Sequence, residues 1–198
     1  MTDTVPTIDP PRTALLVMDY QVALVDSLEG ADALLDGMAQ AIAAVRRAGG
    51  HIGFVRVAFA DEDLAAMPAT SRMAAAVATR GSTLHADAPT SAIHHRVAPQ
   101  PGDIVVRKVR VGAFSTTDLA ARLDALGVDT LVLAGIATSG VVLSTIRDAS
   151  DRDYRVFVVA DACADPDPEV HQFLIGKVFP RQAHIVTVAD LPELLGLE

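Results

Sequence analysis

Asp19 follows directly on an apolar run, Thr13–Met18, and a carboxylate placed there is poorly solvated. Such a group needs a partner or a task, and burial and neighbours would tune its pKa for general acid or base work. Its other reading is a helix cap or turn residue. Lys108 closes a second apolar run at residues 104–107. Alternate side chains of a strand face opposite ways, so Lys108 and Arg110 point to one face and Arg107 to the other. Beside Asp19 this lysine would hold the carboxylate ionised and oriented; alone it reads as a solvated strand end. The third feature is the turn Gly135-Ile136-Ala137-Thr138-Ser139-Gly140, whose two glycines and two hydroxyls join an apolar strand to a helix. Backbone N–H groups left free at a helix N-terminus bind an oxyanion or carboxylate, and nucleophiles are mounted in such turns. The alternative is an ordinary turn capped by Thr138 or Ser139. Its spacing is not that of a dinucleotide fingerprint, a phosphate-cradling loop or a nucleophile elbow.

Other reactive side chains are sparse. His51, His85, His94, His95, His171 and His184 form no tight ligand spacing, so no metal and no cofactor are predicted. The single cysteine, Cys163, excludes an internal disulfide, fits a reducing cytoplasm and reads as a small core residue.

These groups need a scaffold. Thr13–Met18, bounded by Pro10-Pro11 and Asp19, reads as a strand buried on both faces. Ala31–Ala48 carries Leu34, Leu35, Met38, Ile42 and Val45 at helical spacing and ends at Gly49-Gly50. Further strands are predicted at residues 52–59, 104–107, 130–134, 155–160 and 185–188. Helices are predicted at 118–126, with Gly127 as C-cap, and at 141–151, 166–178 and 189–195. Residues 60–103 are the least regular, with a short helix within 67–80. Strand and helix alternate about six times, which implies a three-layer α/β/α domain with a mainly parallel sheet of about six strands. The chain reads as one domain over residues 1–198, with 1–12 an extended or disordered tail. In such sheets ligands bind at the carboxyl ends of the strands. That rule selects Asp19, the residues after Arg107, the 135–140 turn and residues 161–165.

Composition narrows the function. Of 198 residues 51% are hydrophobic but only 4% aromatic, and Trp is absent, so the core is aliphatic. A net charge of −9 repels phosphate backbones and predicts no nucleic-acid partner. No apolar run approaches the roughly 20 residues of a membrane span, and residues 1–12 lack the pattern of a signal peptide. A soluble, cytoplasmic protein acting on a small molecule is the expectation.

Four stretches, in order, resemble the isochorismatase-like (cysteine hydrolase) family across residues 13–195. They are Leu15-Leu16-Val17-Met18-Asp19-Tyr20-Gln21; Pro101-Gly102-Asp103 through Lys108, then Ala113-Phe114-Ser115-Thr116-Thr117-Asp118-Leu119; Leu133-Ala134-Gly135-Ile136-Ala137-Thr138; and Arg147-Asp148-Ala149 with Val158-Val159-Ala160-Asp161-Ala162. The resemblance implies a site built from an Asp, a Lys and a Cys, with Asp19 and Lys108 in the first two roles. It also implies a substrate site that takes in Gln21, Phe114, Ile136, Ala137, Thr138, Gly140 and Val141, with Phe114 as an apolar wall. The Ile136–Ala137 bond is a candidate cis peptide, and a homodimer or homotetramer is implied. At the position of the family's cysteine this chain has Val141, which cannot attack a carbonyl, so the amidases' thiolate mechanism does not carry over. The family's isochorismatases proper also lack that cysteine: there the Asp protonates the alkene carbon of a vinyl ether and water completes the cleavage. Their Tyr-Ala-His-type turn is replaced here by Ala137-Thr138-Ser139, and the zinc-binding D-x-H of the nicotinamidases by Arg56-Val57-Ala58. Three readings stay open: a hydrolase of vinyl-ether or amide/C–N bonds with Asp19 as general acid or base, Lys108 in support and backbone N–H groups near residues 137–141 binding negative charge; a catalytically inactive binding or scaffold protein; and a hydrolase with Ser139, Thr138 or Cys163 as substitute nucleophile.

Overall fold

The computed structural model describes residues 7–197. Strand β1 (Thr13–Met18) is buried along its whole length because both faces of the sheet are covered. Its alternation sends Leu15 and Val17 into one core and Ala14, Leu16 and Met18 into the other. After the short α1 (Val22–Val25), helix α2 (Ala31–Ala48) lays Leu34, Leu35, Met38, Ala41, Ile42 and Val45 on the first core. It stops at Gly49, whose φ of 85° suits a residue without Cβ. Then come β2 (His51–Val57), α3 (Asp61–Ala65), α4 (Arg72–Arg80), β3 (Ile104–Lys108) and α5 (Leu119–Ala125). The second half runs β4 (Thr130–Ile136), α6 (Leu143–Asp151), β5 (Arg155–Ala164), α7 (Pro168–Phe173), β6 (His184–Val186) and α8 (Leu191–Leu194).

The six strands lie in the order β3-β2-β1-β4-β5-β6, and every pairing is parallel. Helices α2 and α8 cover one face, and α5 and α6 the other, with Leu174 and Phe179 beside them. This is the predicted three-layer α/β/α architecture. The chain builds outward from β1 through β2 to β3, then returns to the other side of β1 as β4. The carboxyl ends of β1 and β4 therefore part at the switch point where ligands bind in such sheets. Among the described residues no helix is long and apolar enough to cross a membrane.

Several boundaries differ from the sequence reading. Strand β5 runs to Ala164 rather than 160, since a register shift between Leu133 and Gly135 lets Cys163 and Ala164 pair with Gly135 and Ile136. Asp161 stays exposed within it and accepts the Val188 N–H at 2.9 Å. The expected helix at 166–178 is α7 followed by a wider π turn at Leu174–Val178. Residues 7–12 are not a free tail: Ile8 is buried, its N–H bonds Leu194 O at 3.2 Å, Pro10–Arg12 forms a 3-10 turn, and Arg12 pairs with Asp129 at 2.6 Å. Residues 1–6 of the expected tail lie outside the described residues.

Candidate active site

Asp19 leaves β1 with φ 59°, in the left-handed region that Asp and Asn tolerate better than most residues, and its N–H is held by Val55 O at 2.7 Å. The side chain is 4% exposed. Two strands away, β3 alternates buried and exposed positions, which puts Lys108 inward and Arg107 outward, the latter pairing with Asp63 at 2.5 Å. Lys108, 2% exposed, brings Nζ to 2.9 Å from Asp19 Oδ2 and donates to Arg110 O at 3.2 Å. The sequence-predicted pair thus meets across β2. Asp19 Oδ1 has no hydrogen-bond partner among the described residues.

Burial pushes the Asp19 carboxyl up to about 6, against the opposing pull of the Lys108 charge and its hydrogen bond. Desolvation outweighs the ion pair, so the group holds a proton well above the ordinary carboxylate range.

Asp19 and Lys108 line a cavity of about 220 Å³ together with Ile136, Ala137, Gly140 and Val141, so six of the predicted site residues converge there. The Ile136–Ala137 peptide is cis. The remaining wall is largely apolar: Leu24, Leu28, Val57, Phe59, Met73, Ala76, Val77, Leu84 and Val111. Met73, Ala76, Val77 and Arg80 fall at i, i+3, i+4 and i+7 on α4, one stripe of that helix.

Gln21, Phe114 and Thr138, expected at the substrate, lie outside the lining. Phe114 is packed in the second core, stacked on Tyr154 with ring centroids 6.0 Å apart under the Arg152 guanidinium. Its place as the apolar wall belongs to Phe59 and the α4 stripe. Thr138 is fully buried, with Oγ1 2.8 Å from His171 Nδ1. Gln21 is a clamp: Nε2 donates to Val57 O at 2.9 Å and Ser91 O at 2.7 Å, while Oε1 accepts the Val57 N–H at 2.8 Å. Gln21→Ala is expected to lower stability by about 2–4 kcal/mol in urea unfolding, because it strands buried backbone groups; a change within error of zero would contradict the clamp.

The backbone donors of the 137–142 turn are also less available than the sequence suggests. Ser139 N–H goes to Asp165 Oδ2 at 2.7 Å, and the N–H groups of Gly140 and Val142 go to Ala137 O at 3.1 and 3.4 Å. Cys163 lies on β5, outside the lining, and burial pushes its thiol up to about 12. Iodoacetamide at pH 8 is therefore expected to leave Cys163 intact in the native protein and to modify it fully after unfolding, read by intact mass; rapid native labelling would overturn its assignment to the core.

The isochorismatase domain family matches residues 13–190. A probable isochorismatase from Pseudomonas chlororaphis is 33% identical over 188 residues, covering 93% of this chain and 86% of that protein. The ureidoacrylate amidohydrolase RutB from Methylobacterium radiotolerans is 29% identical over 211 residues, covering 96% and 82%. Among solved structures, an isochorismatase family protein from Burkholderia thailandensis matches with a TM-score of 0.83 and 29% identity, over 98% of this chain and 100% of that one.

Proposed function

The chain belongs to the isochorismatase family, and from that premise we propose that it is a small-molecule hydrolase in which Asp19 transfers the proton, Lys108 orients and tunes it, and no cysteine acyl-enzyme forms. One observation carries the reading: a buried carboxyl with one oxygen on Lys108 and the other without a hydrogen-bond partner among the described residues, at the wall of a largely apolar cavity, where burial pushes its pKa up to about 6. Val141 lines that cavity; on the motif resemblance it stands where the family's amidases carry cysteine, and it offers no lone pair to a carbonyl. The substitute nucleophiles are poorly placed: Thr138 and Cys163 are buried, and Ser139, like both of them, is outside the lining.

Proton-first chemistry fits this arrangement. Neutral Asp19 delivers its proton to the terminal alkene carbon of an enol ether. Water adds to the carbon bearing the ether oxygen and returns a proton to the Asp19 carboxylate. The resulting hemiketal breaks to an alcohol and a carbonyl compound, with one water consumed. Lys108 limits how far the Asp19 pKa rises and holds the carboxyl in one orientation. Lys108 and Arg80 are the other charged side chains at the cavity.

A panel of small enol ethers, amides and esters, run with the native protein and Asp19→Asn, tests the reading. The expected result is hydrolysis of an enol ether, at a rate that is flat below about pH 6 and falls roughly tenfold per pH unit above it, as Asp19 loses its proton. Turnover confined to amides, rising with pH, would overturn the proton-donor role. Silence across the panel would favour the catalytically inactive, ligand-binding protein, a reading that the completed Asp19–Lys108 ion pair also supports.

A further inference from the structure

We infer that the substrate is a neutral molecule with a compact apolar body, and that α4 at Ala76 sets how large that body can be. This substrate class rests on the hydrolase reading of the same cavity.

Among the described residues, the charged side chains lining the cavity are Asp19, Lys108 and Arg80. Two of them answer each other. Lys108 Nζ lies 2.9 Å from Asp19 Oδ2 and donates to Arg110 O at 3.2 Å, so the ammonium is committed within the protein. Arg80 ends α4 in an exposed position, open to solvent. A charged ligand therefore finds no buried countercharge to replace the water it leaves, and an ion without one is far costlier to bury than a neutral group. The wider field works the same way. The net charge of −9 opposes an approaching anion, while Lys108 and Arg80 at the wall oppose a cation. Asp19 Oδ1, buried and without a hydrogen-bond partner among the described residues, is left to meet one polar atom of a neutral ligand.

The rest of the wall is largely apolar. Leu24 and Leu28 come from α1 and the turn after it, Met73 and Val77 from α4, and Phe59 and Leu84 from the segments flanking α3 and α4. Such a surface favours a ligand in proportion to the apolar area it takes out of water. The cavity, about 220 Å³, is below the roughly 300–1,000 Å³ of sites for drug-sized ligands, which limits the body to about one ring or a short branched chain. Ala76 shares the α4 stripe with Met73 and Val77, and it is both small and exposed. A larger side chain there takes up ligand space without displacing a buried contact.

Acetophenone, benzoate and benzylammonium share a ring and differ in charge. Their binding is measured by ligand-observed NMR at pH 7.5 on the native protein, Ala76→Phe and Ala75→Phe, with circular dichroism as the folding check. Ala75 is an exposed neighbour on α4 that lies outside the lining. The native protein is expected to bind acetophenone about tenfold more tightly than either ion. Ala76→Phe is expected to lose about tenfold or more of that affinity, and Ala75→Phe to keep it. A native protein that binds either ion as tightly as acetophenone, or does not bind acetophenone, overturns the inference. So does native-like acetophenone binding in Ala76→Phe, or an equal loss in both variants. The readout needs no turnover: preference for the neutral ring without hydrolysis of any enol ether, amide or ester would sink the hydrolase reading alone, and hydrolysis confined to charged substrates would sink this inference alone.

Discussion

Asp19→Asn is expected to fold and to lose turnover by about 10²- to 10⁴-fold, the range of a general acid's contribution. Asparagine has the same shape and tolerates φ 59° at this strand end better than alanine would. Its carbonyl oxygen can still accept from Lys108 Nζ, now 2.9 Å from Oδ2. What it lacks is a proton that leaves and returns near neutral pH. The substitution leaves the Lys108 ammonium buried without a countercharge, so a lower melting temperature is expected as well. A folding check by circular dichroism therefore accompanies the rate measurement: a variant that folds and does not turn over has lost chemistry rather than structure. Activity within threefold of native would show that the proton comes from elsewhere.

Lys108→Met carries the second large effect, a loss of about 3–5 kcal/mol of stability at pH 8. Methionine keeps the apolar stem and removes the cation that opposes burial of Asp19. The loss should depend on pH, with a definite sign. Asp19 has a raised folded-state pKa, so the stability it contributes is fully present below its unfolded value and falls as pH rises through about 6. Without Lys108 the folded pKa rises further, so the ionised form costs more. Urea denaturation is expected to show a small penalty at pH 5 and a large one at pH 8. The Asp19→Asn/Lys108→Met double variant should recover part of the loss, since no unpaired charge is then buried. Equal penalties at both pH values would mean that the two groups are not electrostatically coupled.

The site was readable from the sequence where it depends on strand period. The run before Asp19 places its carboxylate at a strand end, and the buried-exposed alternation of β3 sends Lys108 inward and Arg107 outward. Both are local consequences of a two-residue repeat. The cavity wall was harder because it comes from the irregular segment between β2 and β3, where no long period marks which side chains turn inward. A signal did exist in α4, where Met73, Ala76, Val77 and Arg80 share a helical stripe. Two of those positions are small or charged, so the apolar pattern alone does not reveal it. Phe114 was placed as an apolar wall from the motif resemblance; its ring packs against Tyr154 and Arg152 in the second core, outside the cavity lining. Gln21 and Thr138 were placed at the substrate from the motif they belong to; their hydrogen bonds to Val57, Ser91 and His171 make them supports of the loops around it.

The most direct test is a ¹³C NMR titration of the Asp19 carboxyl, identified by the resonance that disappears in Asp19→Asn. It should ionise with an apparent pKa of about 6 in the native protein and shift upward in Lys108→Met. Titration in the ordinary carboxylate range, about 4, in both proteins would show a solvated group with no proton to give near neutral pH, and would contradict the chemistry proposed for this cavity.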